Sequence, residues 1–137
     1  GIIDSQRTQP EETTSDAIMG AVREVTHTIH ARAIVSWTKS GSTALRCAHE
    51  RPEAPIIALT PSIETARRLS IAWALHCVHT EDAQDLDDVV DRAGEIALRE
   101  GFANEGDRIV ITAGVPLRTI GSTNLLRVAF VGKKQNR

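Results

Sequence analysis

The sequence predicts an α/β fold: a three-layer α/β/α sandwich around a sheet of about five strands, mostly parallel, with one antiparallel edge strand. Three observations lead there. Continuous apolar runs such as Ala33–Trp37 and Pro55–Leu59 have the pattern of strands buried on both faces. Segments with apolar residues at helical spacing stand between them, so strands and helices alternate. The last two strands, Arg108–Ala113 and Leu125–Val131, are joined without a helix, so one of them can run antiparallel at the edge.

At 137 residues and 41 % hydrophobic, the chain can bury one sizeable core and reads as a single soluble domain. A formal net charge of −2 gives no general attraction to nucleic acid or to an acidic membrane. Tyr is absent and aromatic residues make up 3 %, which argues against a base-stacking surface. No apolar run approaches the ~20 residues needed to span a bilayer, and no signal-peptide pattern opens the chain. Cys47 and Cys77 lie far apart with no metal-ligand spacing, so they read as reduced core thiols in a cytoplasmic protein.

Residues 1–14 are polar, with Pro10 and a Glu11-Glu12 pair, and are expected to be a linker; the domain proper is placed at 15–132 and a basic tail at 133–137. The first helix is expected to start at Ser15 or Asp16, either of which can cap free N–H groups, and to bury Ile18, Ala21, Val22, Val25 and Ile29. Strand Ala33–Trp37 follows, then a helix from Thr43 to Glu50. Arg51-Pro52 ends that helix, because the residue before proline is pushed out of the α region. After the second strand, Ser62 is an N-cap for a helix turning Ile63, Ala66, Leu69 and Ile71 inward and Arg67 and Arg68 outward. Ala74–His79 is a third strand candidate. The acidic stretch Thr80–Asp88 leads into a helix to Glu100 that buries Val89, Val90, Ala93, Ile96, Ala97 and Leu98, and Gly101 suits the C′ position. Asn104–Asp107 is a turn, and Gly114–Asn124 is a long irregular loop between the last strands.

Two loops carry the chemistry. Thr38, Lys39, Ser40, Gly41, Ser42 and Thr43 join a buried strand to a helix start. Such a loop gathers backbone N–H groups and the positive end of a helix dipole, a setting suited to a phosphate, although the same turn can simply cap a helix. The hydroxyls add donors and Lys39 adds a charge. The second loop offers Arg118 as a phosphate clamp, with Gly121 and the donors Thr119, Ser122 and Thr123, or is an ordinary connection. Both follow strands, so both should open on the carboxyl edge of the sheet, where such folds bind ligands.

Catalysis finds little support. The G-x-x-x-x-G-K-[ST] spacing is absent, no acidic residue stands near either loop in sequence, and no nucleophile elbow occurs. Asp82, Asp85, Asp87 and Asp88 read as a solvated helix start. His27 and His30 lack a third ligand, so no metal site and no catalytic residue is assigned.

Ala33-Ile34-Val35 followed by Thr38-Lys39-Ser40-Gly41 resembles the opening of the C-terminal domain of pyruvate kinases. So do Arg51-Pro52-x-Ala54-Pro55-Ile56-Ile57-Ala58-x-Thr60, Thr65-Ala66-Arg67, Gly106-Asp107 and Gly121-x-Thr123-Asn124-x-x-Arg127-Val128. The motifs run in the right order over nearly the whole chain. Ile3-Asp4-x-Gln6-Arg7-Thr8 resembles the passage from the catalytic barrel into this domain, so the chain is expected to be part of a longer enzyme.

The resemblance implies an enzyme that transfers a phosphoryl group from phosphoenolpyruvate to ADP in glycolysis, with Mg²⁺ and K⁺, in a barrel outside this chain. It implies a domain that binds phosphorylated effectors at Thr38–Thr43, with Gly114–Thr123 as the mobile effector loop, and that contributes to a homo-tetramer. The expected partners are the catalytic barrel of the same chain, further copies, and a phosphorylated sugar or AMP. Many members carry Arg or Lys at the position of Ser42. Thr80–Asp88 also lacks the Trp and Arg by which animal enzymes hold the second phosphate of fructose bisphosphate. A monophosphate therefore fits better, or regulation has been lost. The alternatives are a purely structural tetramer-interface domain and a stand-alone phosphate-binding module; the Gln6-Arg7-Thr8 junction disfavours the last.

Overall fold

Four parallel strands and one antiparallel strand form the sheet of the computed structural model, which describes residues 10–73, 75–115, 117 and 123–132, with side chains from residue 14 onward. In chain order the elements are α1 (Pro10–Ile29), β1 (Ala33–Trp37), α2 (Ser42–His49), β2 (Ile56–Thr60) and α3 (Ile63–Trp73). Then come β3 (His76–His79), α4 (Leu86–Arg99), β4 (Arg108–Ala113) and β5 (Leu125–Phe130). The strand order is β3-β2-β1-β4-β5. Register is set by Ile34 opposite Ile56 and Val110, and by Val110 opposite Val128 in the antiparallel pair. The expected α/β/α architecture is what the chain adopts.

Alternation along β1 explains the layers. Ala33, Val35 and Trp37 point to the face covered by α4 and pack with Val89, Val90, Ala93, Ile109 and Ile111. Ile34 points to the other face and meets Met19 and Val22 of α1 and Cys47 of α2, while Leu69 of α3 closes over Ala58 of β2. One sheet face thus carries three helices and the other carries α4.

Several local expectations are corrected. Residues 10–14 of the expected linker are already helical; Pro10 tolerates the first helical turn because its fixed φ suits it and its missing N–H has no partner there anyway. Ser15 is consequently not a cap but a fully buried residue inside α1. Ala21, Ile63, Ile71 and Leu98 face solvent rather than core, with Ile71 85 % exposed, because each sits on the outer side of its helix. The third strand starts at His76, and Ala74, its expected first residue, lies outside the described residues. Helix ends obey local chemistry: Asp85 Oδ1 caps α4 by accepting from Asp88 N at 2.9 Å. Gly101, at φ 80°, closes it with the N–H groups of Gly101 and Phe102 donating to Leu98 and Ala97. Ser62 caps α3 through Thr65 N at 3.2 Å.

Candidate functional site

The chain turns back on itself between β1 and β4: the elements after β1 run outward to β3, and α4 then returns the chain to the other side of β1. The carboxyl ends of β1 and β4 therefore flank the crevice where the connections diverge, the position at which open α/β sheets hold ligands. The loop 38–41 leaves β1 there. Thr38 N donates to Leu59 O at 3.0 Å, carrying the sheet one residue further, and Thr38 Oγ1 accepts from Gly41 N at 2.8 Å. Gly41 takes φ 100°, a left-handed geometry that glycine meets without strain, and a Cβ on it would also crowd Arg68 Nη2 at 3.1 Å and Leu69 Cδ2 at 3.2 Å.

From Gly41 the chain enters α2. This N-terminus has no side-chain cap and no acidic residue in its first turn. Its leading N–H groups have no intrahelical acceptor and carry the positive end of the dipole. The α4 start is the contrast, closed by Asp85 with Asp87 and Asp88 in the first turn. The six loop residues divide accordingly. Thr38 and Thr43 are buried and structural, whereas Lys39, Ser40 and Ser42 are partly exposed, with Ser40 Oγ donating to Ser42 Oγ at 3.2 Å. Lys39 Nζ lies 3.5 Å from Asp82 Oδ2, and its backbone carbonyl accepts from Thr65 Oγ1 at 2.6 Å. Arg68, expected to point away, donates its guanidinium to Ser40 O. Thr65 and Arg68 are three apart on α3, and that spacing puts both on the loop side.

The second loop meets the first at its end. Thr123 is fully buried, and its hydroxyl pairs with Thr43 Oγ1 at 3.0 Å. Thr123 N donates to Ser15 Oγ at 3.0 Å, and Arg46 Nη1 donates to the same oxygen at 3.1 Å. Asn124 clasps the loop base, its amide bonding the N–H and carbonyl of Val115 at 2.8 and 2.7 Å. Ser15 and Thr123 thus tie α1, α2 and the second loop together, contacts that no local spacing announces. Arg118, Thr119, Gly121 and Ser122 lie outside the described residues.

Beside the first loop a cleft of ≈ 710 Å³ is lined by Lys39, Pro61, Ser62, His79, Thr80, Glu81 and Asp82. One end therefore offers the Lys39 ammonium, and the other offers the carboxylates of Glu81 and Asp82, which can accept hydroxyl protons. The remaining candidates are occupied elsewhere: Asp88 holds Arg92 at 2.7 Å, and His27 bonds Glu53 at 2.9 Å, which raises the imidazole pKa. Among the described residues no group of three or more His, Cys, Asp or Glu side chains is placed to hold a metal ion, and no helix is long and apolar enough to cross a membrane. Both thiols are unpaired, and burial pushes that of Cys47 up to about 12.

Comparison with known proteins is consistent in every direction. Residues 16–129 match the family model of the pyruvate kinase alpha/beta domain. A pyruvate kinase from Methylorubrum extorquens is 50% identical over 133 residues, covering 97% of this chain and 28% of that protein. One from Geobacillus stearothermophilus is 41% identical over 128 residues, covering 93% and 22%. The crystal structure of a pyruvate kinase from Cryptosporidium parvum superposes with a TM-score of 0.75 at 27% identity, over 86% of this chain and 23% of that one. The chain thus spans about a quarter of the length of these relatives.

Proposed function

This chain belongs to the pyruvate kinase family, of which it is the C-terminal α/β domain, and on that premise we propose that it is the regulatory domain of a cytoplasmic, glycolytic phosphotransferase, binding a phosphorylated effector at residues 38–43. In this reading the longer chain moves a phosphoryl group from phosphoenolpyruvate to ADP. The Mg²⁺ and K⁺ of that reaction are, in this reading, held in the barrel of the longer chain. The domain supplies no reacting group; its task is binding.

The observation that supports this most is the start of α2 at the crevice between β1 and β4, where Gly41 provides no side-chain cap, the first turn holds no acidic residue, and the Ser42 N–H has only a long bond of 3.4 Å to Ser40 Oγ. A phosphate there accepts from the first-turn N–H groups and from the hydroxyls of Ser40 and Ser42. Lys39 exchanges its long contact with Asp82 for the phosphate, and Arg68 adds a second cation from α3, supplying part of the charge missing at Ser42. Glu81 and Asp82 across the cleft repel a second phosphate and accept from the hydroxyls of a sugar, which favours a monophosphate such as glucose 6-phosphate, ribose 5-phosphate or AMP. Arg118, Gly121 and Ser122 complete the site from the second loop.

A thermal-shift titration with those three compounds, fructose bisphosphate and inorganic phosphate tests the reading. A ligand at about 100 times its dissociation constant stabilises by about 2.7 kcal/mol. The expected result is a rise with one monophosphate, abolished by Lys39→Ala and reduced less by Arg118→Ala. Equal affinity in all three proteins removes the assignment of Lys39, and no rise with any compound leaves the structural alternative. One feature favours an assembly role alongside: β5 ends the sheet, with Val128 and Phe130 38% and 43% exposed. A homo-tetramer built partly on this edge is the corresponding proposal.

A further inference from the structure

On the reading of residues 38–43 as a phosphate site, we propose that Arg92 of α4 is the positioning residue that makes the cleft select one phosphate over two, by fixing Asp82 opposite Lys39. The segment that carries the cleft carboxylates has no frame of its own. Thr80 N donates to Thr60 O at 3.0 Å, the last sheet bond after β3, and Asp85 already caps α4. Between them the chain is neither strand nor helix, so its carbonyls need donors from elsewhere.

Arg92 supplies them. Its Nη1 donates to Glu81 O and, at 3.4 Å, to Thr80 Oγ1, and its Nη2 donates to Asp82 O at 3.1 Å. The same guanidinium grips Asp88, one turn earlier on α4, through Nε to Oδ1 at 3.2 Å and Nη2 to Oδ2 at 2.7 Å. Asp88 Oδ2 also accepts from Gln84 N at 3.1 Å, which ties the other end of the segment to the same pair. A planar fork can meet two successive carbonyls and a carboxylate at once; a lysine ammonium cannot.

The charges are then sorted. Arg92 lines a separate cavity of ≈ 260 Å³ with Ile96 and Arg99, and does not line the cleft of Lys39. Asp88 matches its charge, so the cleft wall keeps the negative charges of Glu81 and Asp82. Asp82 Oδ1 accepts from Ala83 N at 2.9 Å, which leaves Oδ2 for Lys39 Nζ at 3.5 Å. A carboxylate on a loose segment swings away from an approaching anion, whereas one pinned through its own backbone stays and repels it. Discrimination of this kind comes from the repulsive contact built against the wrong ligand.

The test compares glucose 6-phosphate with glucose 1,6-bisphosphate, which differ by one phosphate, in calorimetric titrations of the full-length enzyme. Binding that Lys39→Ala abolishes is assigned to this cleft. The wild type should prefer the monophosphate. Asp82→Asn, whose amide oxygen still accepts from Ala83 N, and Arg92→Gln should each move the ratio of the two affinities about tenfold toward the bisphosphate. Arg92→Lys should behave as Arg92→Gln does, because it keeps the charge and loses the fork. If Arg92 acted through its charge, Arg92→Gln would exclude the bisphosphate more strongly; a merely structural role would weaken both sugars together and leave the ratio alone. Either result overturns the proposal, as does a ratio unmoved by Asp82→Asn or a wild type that takes both sugars equally. A wild type that binds neither sugar removes the effector reading. The selectivity proposal then survives only if Asp82→Asn and Arg92→Gln bind the bisphosphate, and falls if they do not.

Discussion

Gly41 shows how one residue holds the candidate site. With φ at 100° and two side-chain atoms of α3 already near the place a Cβ would take, Gly41→Ala is expected to cost about 1–3 kcal/mol, measured by denaturant unfolding. Effector affinity should fall with it, since the N–H of the same residue sets the loop through Thr38. Cys47 gives a prediction in pH. Its folded thiol stays protonated until about pH 12, whereas an unfolded thiol ionises near 8.5. The folded state therefore binds more protons above that lower value, and stability falls as pH rises from about 8.5 toward 12, by at most ~1.4 kcal/mol per pH unit from this group. Thermal melts from pH 8 to 11 should show that slope in the wild type and a shallower one in Cys47→Ala. Below pH 8 the two slopes should match.

Among the elements, α4 is the one that covers its sheet face unaided, so its start matters. Asp85→Ala removes the cap on Asp88 N and is expected to cost about 1 kcal/mol by the same unfolding assay. Asp85→Asn, which can still accept, should recover most of it. The element level is also where the sequence was most legible. Ala33–Trp37 and Ile56–Thr60 announce themselves because strands buried on both faces leave no polar alternation to confuse. The start of α1 is not legible locally, because Ser15 is a cap-forming residue type put to a different use, and that use depends on Thr123 and Arg46 far along the chain. Hydrophobicity alone places Ile63 and Ile71 inward, although Thr65, Ala66 and Leu69 hold the buried side of this helix. In the site, residues 38–43 were readable as one contiguous loop. Arg68 was not, because its approach depends on how α3 lies across β2.

At the scale of the molecule, the pair Thr43–Thr123 joins the two halves of the crevice inside the core. Thr43→Val or Thr123→Val alone leaves a buried hydroxyl without its partner, and each should destabilise by about 1–3 kcal/mol. The double variant should lose less than the sum, with a coupling of roughly 1 kcal/mol in a double-mutant cycle. Additive losses would mean that the hydroxyls do not support one another.

The strand order has a consequence in time. β1, β2 and β3 are neighbours in sequence as in space, so three of the five strands can assemble as soon as His79 exists. β1 acquires its other neighbour only when Val110 can lie against Ile34, after α4 has been made and laid across the sheet. Pairings between residues so distant in sequence are slow to find. On a growing polypeptide the crevice is therefore among the last features to exist, and a chain cut short before β4 keeps the 38–43 loop but has no second wall to set against it.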